Sequence, residues 1–171
     1  MKIKNILLYS LSVIFFIIPV FANTPLGSYS TKFNLQNTPR VNNLKIATEA
    51  INGSVIKSGE IFSYNTAVGP TTQARGFQKS KIFVNGEEKE GYGGGVCQVS
   101  STLYNAALSA GMEIIERHRH SKDVAYIAEN KDAATSYGVI DFKFKNSLEH
   151  PVKIQSYIKE NGLYIDILHI T

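Results

Sequence analysis

A single cysteine follows a run of glycines and opens a stretch with the pattern of a helix. Residues 93–95 are glycines, Cys97 comes two residues after them, and the helical pattern continues to Ala110. The first turn of a helix carries unpaired backbone N–H groups and a partial positive charge, which favour a thiolate over a thiol. Consecutive glycines allow positive φ angles and close approach of a substrate. The pattern predicts a reactive thiol beside amides that can hold an oxyanion.

The alternative for Cys97 is a small, buried apolar side chain, which is the common role of a free cysteine. Cys97 is the only cysteine of the 171 residues, so no intramolecular disulfide can form. A lone cysteine in an exported chain is expected to react or to pair between molecules. The sequence therefore favours a reactive thiol.

A nucleophilic thiol needs a base, and candidates lie about twenty residues further along, in residues 116–121. On an extended strand Glu116, His118 and His120 share one face, and Arg117 lies on the other. A histidine near neutral pH can take the thiol proton and return it to a leaving amine, as acyl transfer requires. The alternative is that both histidines are solvated strand residues.

Two downstream carboxylates could orient such a histidine. Asp132 lies in a predicted loop, where capping or a turn is its alternative role. Asp141 begins a segment in which Phe142 and Phe144 alternate inward, so its side chain is expected on the outer face with lysines. We therefore prefer Asp132 as the orienting group.

The spacing of His118 and His120 also suits a metal site, with Cys97 or Glu116 as a third ligand. No second cysteine or histidine-rich segment accompanies these residues. The glycine run already suits an oxyanion that needs no Lewis acid. We therefore expect a site without metal or cofactor.

The surrounding elements predict an α+β fold, an antiparallel-rich β-sheet packed with two main helices in a single domain. The helices are expected over residues 40–51 and 97–110. Strands are expected over 28–33, 54–56, 61–64, 79–84, 113–118, 123–127, 139–145, 151–159 and 163–169. In the second helix apolar residues would face the core, whereas the polar set points elsewhere: Gln98, Ser101, Thr102 and Asn105.

The first residues have the pattern of a secretory signal peptide. Lys2 and Lys4 precede a long apolar run that ends in Val20, Phe21 and Ala22. We predict cleavage after Ala22, with export to the cell envelope, periplasm or cell wall. Membrane anchoring is expected only if this segment stays uncleaved. Of 18 basic residues, 16 then remain against 14 acidic ones, a net charge of about +2 that does not indicate nucleic acid binding.

These motifs, taken together, resemble the VanW domain, a family named from a vancomycin-resistance cluster. The resemblance rests on GGGVCQVSSTLYNA at residues 93–106, ERHRHS at 116–121, the Asp-Ala pair at 132–133 and DFKFKN at 141–146. Residues 33–43, 51–53, 59–65 and 68–70 follow the order of the family. The chain departs from it before Asp132, where the usual Pro and Gly-Arg are replaced by residues 127–131. It departs again at 134–135, where Ala-Thr stands for Thr-Val.

The resemblance implies L,D-transpeptidase-like cross-linking of peptidoglycan stem peptides by residues 23–171. It implies that Cys97 is the nucleophile and favours His120 over His118 as the base. Residues predicted to contact the substrate are Gly94, Gly95, Gln98, Ser101 and Arg117. The alternatives are a non-catalytic module that binds cell wall or glycopeptide, and a cysteine amidohydrolase with water as the acceptor.

Overall fold

The computed structural model describes residues 24–84 and 86–170 of the chain. The predicted signal peptide, residues 1–22, lies outside the described residues. Within the described part, no helix is both long and apolar enough to cross a membrane.

Strands and helices alternate irregularly along the described chain. They are β1 (Gly27–Lys32), α1 (Thr38–Ile51), β2 (Val55–Ile56), β3 (Ile61–Ser63), α2 (Tyr64–Val68), β4 (Lys79–Val84), β5 (Glu87–Tyr92), α3 (Val96–Ser109), β6 (Glu113–Glu116), β7 (Lys143–Lys145), β8 (Val152–Lys159) and β9 (Gly162–His169). A 3-10 turn, Gln73–Arg75, precedes β4. The predicted α+β class is confirmed, and α1 and α3 are its two long helices.

The strands of the described residues form three antiparallel groups rather than the one sheet that we expected. The largest has the order β1-β9-β8-β2, the second has the order β3-β7-β6, and β4 pairs with β5. In β9 the side chains of Leu163, Ile165 and Ile167 alternate inward and are fully buried. The helix α3 packs on β1 and β9, and α1 packs on β8. The core therefore lies between the four-stranded sheet and the two long helices.

The prediction that the polar side chains of α3 point away from the core is wrong. Gln98, Ser101, Thr102 and Asn105 are all at least 95% buried. The reason is that α3 is enclosed on several sides, by β1, by α1 and by the loop that holds Lys131 and Ala133. Each polar group finds a partner there, such as Thr31 for Thr102 and the Lys131 carbonyl for Asn105. Satisfied hydrogen bonds make this polar burial tolerable.

Three of the predicted strands are too long or absent. The strand β6 ends at Glu116 after a register shift against β7, so the run does not continue to His118. Residues 123–127 form no strand. A turn lies at residues 125–126, and Val124 and Tyr126 line the wall of a pocket. The expected strand at 139–145 is confined to Lys143–Lys145, since the Asp141 carboxylate instead accepts hydrogen bonds from Ser63 and from the Asn65 N–H.

Candidate active site

The glycine run forms a tight turn that leads directly into α3. Gly95 is the N-cap of the helix and has φ of 117°, in the left-handed region that favours glycine. A Cβ atom at Gly94 would lie 2.5 Å from the backbone oxygen of Lys81, and one at Gly95 would lie 3.2 Å from Cγ of Arg40. Neighbouring backbone and side chains thus fit closely against the turn. This packing fixes the position of Cys97 in the first turn of α3.

The thiol of Cys97 is half-buried and faces the loop after Asp132. Its Sγ atom donates to the backbone oxygen of Thr135 at 3.4 Å and lies 3.9 Å from Oγ1 of the same residue. The loop is joined to His118 by an antiparallel bridge at Ala134. Thr135 was not expected in the site, because it lies 38 residues from Cys97 and no local sequence pattern connects the two residues.

The imidazole of His120 is held by Asp132. Oδ2 of Asp132 accepts hydrogen bonds from the backbone N–H of His120 at 2.6 Å and from Nδ1 at 2.7 Å. The side chains of both residues are about 10% exposed. Because Nδ1 is occupied, Nε2 remains to act on the thiol.

Arg117 holds Asp132 in turn, on the side away from His120. Its Nε donates to the Asp132 carbonyl at 2.7 Å, and Nη2 donates to Oδ1 at 3.0 Å. Its guanidinium also lies over the ring of Tyr104, 5.2 Å from the centroid. Arg117, which we expected to contact substrate, is committed to positioning Asp132.

The three groups shift the pKa values of one another. Burial raises the pKa of the Cys97 thiol, but hydrogen bonding and charge from His120, with help from Thr135, outweigh it and lower the pKa overall. Burial lowers the pKa of His120, but interactions with Cys97 and Asp132 raise it overall. Burial raises the pKa of Asp132, and its hydrogen bonds with His120 lower it overall. The arrangement favours a thiolate next to an imidazolium.

Some backbone N–H groups at the start of α3 are already bonded, and others are free to receive negative charge. The N–H of Val96 donates to the Gly93 carbonyl, and the N–H of Gln98 donates to the Gly95 carbonyl at 2.9 Å. The backbone N–H of Gln98, a residue that we expected to contact the substrate, is therefore already bonded. The N–H groups of Gly94, Gly95 and Cys97 have no protein acceptor within residues 24–84 and 86–170.

Cys97 and His120 open into a cavity of about 470 Å³. Its walls come from the glycine turn, α1, α2, the β4–β5 hairpin and the loops around residues 123–126 and 135–137. A cavity of this size can enclose a short peptide segment.

Two of the residues expected to bind substrate instead stabilise the fold beneath the site. The hydroxyl of Ser101 donates to the Cys97 carbonyl at 2.7 Å and accepts from the N–H of Ala133 at 2.9 Å. The amide nitrogen of Gln98 donates to Thr31 Oγ1 and to the carbonyl of Lys32. Ser101 thus joins α3 to the loop that carries Asp132.

His118 lies apart from the Cys97 pocket. Its Nε2 is 3.0 Å from Glu116 Oε1, and its side chain is 42% exposed. The pKa of Glu116 is lowered to about 2. The largest cause is a hydrogen bond from Lys143, followed by hydrogen bonds from the Asp141 N–H and from His118. The strand face expected to hold Glu116, His118 and His120 is thus divided, and only Glu116 and His118 interact.

The alternative metal arrangement is not assembled. Within the described ranges, no group of three or more His, Cys, Asp or Glu side chains is arranged to hold a metal ion. His118 binds Glu116, whereas His120 binds Asp132. Of the two histidines, it is His120 that interacts with Cys97.

Two tyrosines beside the thiol were not predicted. The hydroxyl of Tyr64 donates to the Val96 carbonyl at 2.8 Å, which supports the first turn of α3. The hydroxyl of Tyr126 is buried and has no hydrogen-bond partner among the described residues. Residues 61–64 and 123–127, which contain these tyrosines, showed only a strand-like pattern, and this pattern does not place a tyrosine at a site.

Comparison with known proteins assigns the family. A family model described as "VanW like protein" matches residues 39–168, which include Cys97, His120 and Asp132. The chain belongs to the VanW-like family. The match also covers the elements from α1 to β9, including three of the four strands of the largest sheet, whereas β1 precedes it.

Two curated relatives are similar to this VanW-like chain. Uncharacterized protein YoaR of Bacillus subtilis (strain 168) is 42% identical over 131 residues, which are 77% of this chain and 43% of that protein. Vancomycin B-type resistance protein VanW of Enterococcus faecalis (strain ATCC 700802 / V583) is 30% identical over 130 residues, 72% of this chain and 47% of that protein. The chain thus spans less than half the length of these relatives. No solved structure matches it.

Proposed function

We propose that this VanW-like domain is a cysteine-dependent acyltransferase that acts on peptidoglycan stem peptides, in the manner of an L,D-transpeptidase. The observation that supports this most is the order Cys97, His120, Asp132: a thiol at a helix start, an imidazole acting on it, and a carboxylate orienting the imidazole. This is the arrangement that nucleophilic acyl transfer uses on unrelated folds.

In the first half of the proposed reaction the thiolate of Cys97 attacks an amide carbonyl of the donor peptide. The carbonyl oxygen becomes an oxyanion, which the free N–H groups near Cys97 and Gly95 stabilise. As the carbon–nitrogen bond breaks, Nε2–H of His120 gives its proton to the departing amine. A thioester on Cys97 and a neutral His120 remain.

In the second half an acceptor amine attacks the thioester. His120 takes the proton that the amine loses, the new amide bond forms, and the thiolate of Cys97 leaves beside the reprotonated imidazole. If water replaces the amine, the same steps give hydrolysis. The choice between them depends on how well the cavity excludes water while the thioester exists.

The proposed location is outside the cytoplasm, at the cell envelope, where stem peptides are found. Support comes from the signal-like residues 1–22, and from the name of the Enterococcus relative, which links it to resistance against an antibiotic that acts on the cell wall. Residues 1–22 would anchor the protein to the membrane only if they are retained.

The test is intact mass spectrometry of the purified chain after incubation with a synthetic tetrapeptide that ends in D-alanine. We expect a covalent adduct that equals the peptide minus its terminal alanine, absent in Cys97→Ala. An added amine acceptor should then discharge the adduct into a cross-linked product. Peptide binding without any adduct would instead indicate the non-catalytic wall-binding module, and release of free acid alone would indicate the amidohydrolase.

A further inference from the structure

Arg40 is the one arginine that lines the cavity. The chain has four arginines, all within the described residues. Arg117 is bound to Asp132, Arg75 donates to backbone carbonyls, and Arg119 lies toward a surface carboxylate at 3.9 Å. Arg40 alone contributes to the wall that also contains Cys97 and His120.

The structure holds Arg40 firmly in this position. It lies in the first turn of α1, where its N–H donates to the side chain of Asn37 at 3.2 Å. Its Cγ atom packs against Gly95, which has no side chain to displace it. Its Nη2 donates to Oε1 of buried Gln98 at 3.0 Å, and the amide nitrogen of Gln98 is itself bonded to Thr31. Gln98 therefore orients the guanidinium instead of contacting substrate.

The charge of Arg40 has no carboxylate partner in the described part of the chain. No Asp or Glu oxygen lies within 4.0 Å of its guanidinium, although Asp123 lines the same cavity. Burial lowers the pKa of Arg40, and the charges of Tyr126 and Cys97 offset this effect only in part. A partly buried guanidinium without a paired carboxylate is therefore favourable for binding the carboxylate of a ligand.

Tyr126 adds a second group to the same corner of the cavity. The guanidinium of Arg40 lies 5.8 Å from the centroid of its ring. The Tyr126 hydroxyl itself is enclosed and has no hydrogen-bond partner among the described residues, so the ring and not the hydroxyl borders the guanidinium. The planar guanidinium of Arg40 is complementary to the two oxygens of a carboxylate, and the ring of Tyr126 borders it.

We propose that Arg40, bordered by the ring of Tyr126, forms a subsite for a free carboxylate of the substrate peptide, next to the reactive Cys97. The inference rests on the proposed function only in taking the ligand to be a peptide that enters this cavity. It selects peptides whose terminal carboxylate is free over peptides in which it is amidated. Arg40 thus sets specificity, whereas Cys97 and His120 carry out the chemistry.

The test separates binding from reaction. In a Cys97→Ser background, isothermal titration calorimetry compares the D-alanine-terminated tetrapeptide with its C-terminal amide. We expect the acid to bind about tenfold more tightly than the amide, as a charge-assisted hydrogen bond allows. Adding Arg40→Gln should lower the affinity for the acid to that for the amide, and the affinity for the amide should not change. Arg40→Lys should retain part of the preference for the acid, because the positive charge remains but the paired N–H donors of the guanidinium are lost.

The matched control is Lys81→Gln, which removes another cation of the cavity wall with the same change in net charge. Lys81 is exposed and already paired with Glu88 at 2.6 Å, so we expect the preference for the acid to persist. The subsite is refuted if the two peptides bind equally, if neither binds, or if Arg40→Gln retains the preference. The acyltransferase is refuted and the subsite is supported if the preference for the acid depends on Arg40 but the tetrapeptide does not acylate Cys97 in the unmodified chain.

Discussion

Oδ2 of Asp132 accepts two hydrogen bonds from His120, one from the backbone N–H at 2.6 Å and one from Nδ1 at 2.7 Å. The first fixes where the histidine lies along the chain, and the second fixes the tautomer and tilt of its ring. Because Arg117 binds the other oxygen, the carboxylate cannot rotate away. The direction of His120 is thus set by a residue of a different loop.

Replacing this carboxylate should impair the reaction more than the fold. In Asp132→Asn the amide can present an N–H to Nδ1, which leaves the proton on Nε2 and prevents the ring from accepting a proton from Cys97. We expect acyl transfer to fall on the order of a hundredfold, measured as kcat/KM.

The matched control is Asp141→Asn, at a carboxylate that binds Ser63 and the Asn65 N–H. Here Tm should fall while most of the activity of the folded protein remains. If the two variants lose activity equally at equal Tm, the role assigned to Asp132 is wrong.

The pH dependence of alkylation tests the coupling of Cys97 to His120. The thiol pKa is lowered, so the thiolate should persist below the pH at which a free thiol is protonated. In His120→Ala the effect of the imidazole is lost and burial, which raises the pKa, remains. We therefore expect the midpoint of the iodoacetamide rate to move to higher pH, while His118→Ala leaves it in place. An unchanged midpoint in His120→Ala contradicts the coupling.

The two histidines should also differ in turnover. His120→Ala removes the group that moves the proton, and we expect a loss of about a hundredfold or more. His118 is exposed and paired with Glu116, outside the cavity, so His118→Ala should cost much less. Steady-state rates and Tm of both variants provide the measurement. The opposite ranking transfers the role to His118, and small equal losses would show that neither histidine is the base.

The long helices and the β8–β9 pair could be predicted because their signals are local. Glycine at the start of α3 and strict alternation in β9 depend only on neighbouring residues. The burial of Ser101 and Gln98 could not be predicted in this way, since their partners, Ala133 and Thr31, lie more than thirty residues away. A helix enclosed on several sides has no polar face for the sequence to reveal.

The same distinction applies to the site. Type and spacing named Cys97, Asp132 and the pair His118 and His120 as candidates, and the family resemblance favoured His120. The contacts among these residues could not be predicted. Thr135 and Tyr126 could not be predicted as site residues, because residues 117–142 are mostly irregular. The path of the chain through this segment depends on side-chain hydrogen bonds such as that from Arg117 to Asp132. Neither periodicity nor turn chemistry encodes those bonds.

The close fit at Gly95 predicts that a methyl group there damages the site. Gly95 has φ of 117° and Gly53 has φ of 80°, so alanine at either position carries a backbone cost of about 1 to 2 kcal/mol. A Cβ atom at Gly53 meets nothing within 4 Å, whereas one at Gly95 lies 3.2 Å from Cγ of Arg40 and 3.3 Å from Cγ of Leu44. Gly95→Ala should therefore lower the free energy of unfolding in urea by more than Gly53→Ala does. It should also slow alkylation of Cys97, because the first turn of α3 must shift. Equal losses of stability, with an unchanged alkylation rate in both variants, would show that this packing does not position the thiol.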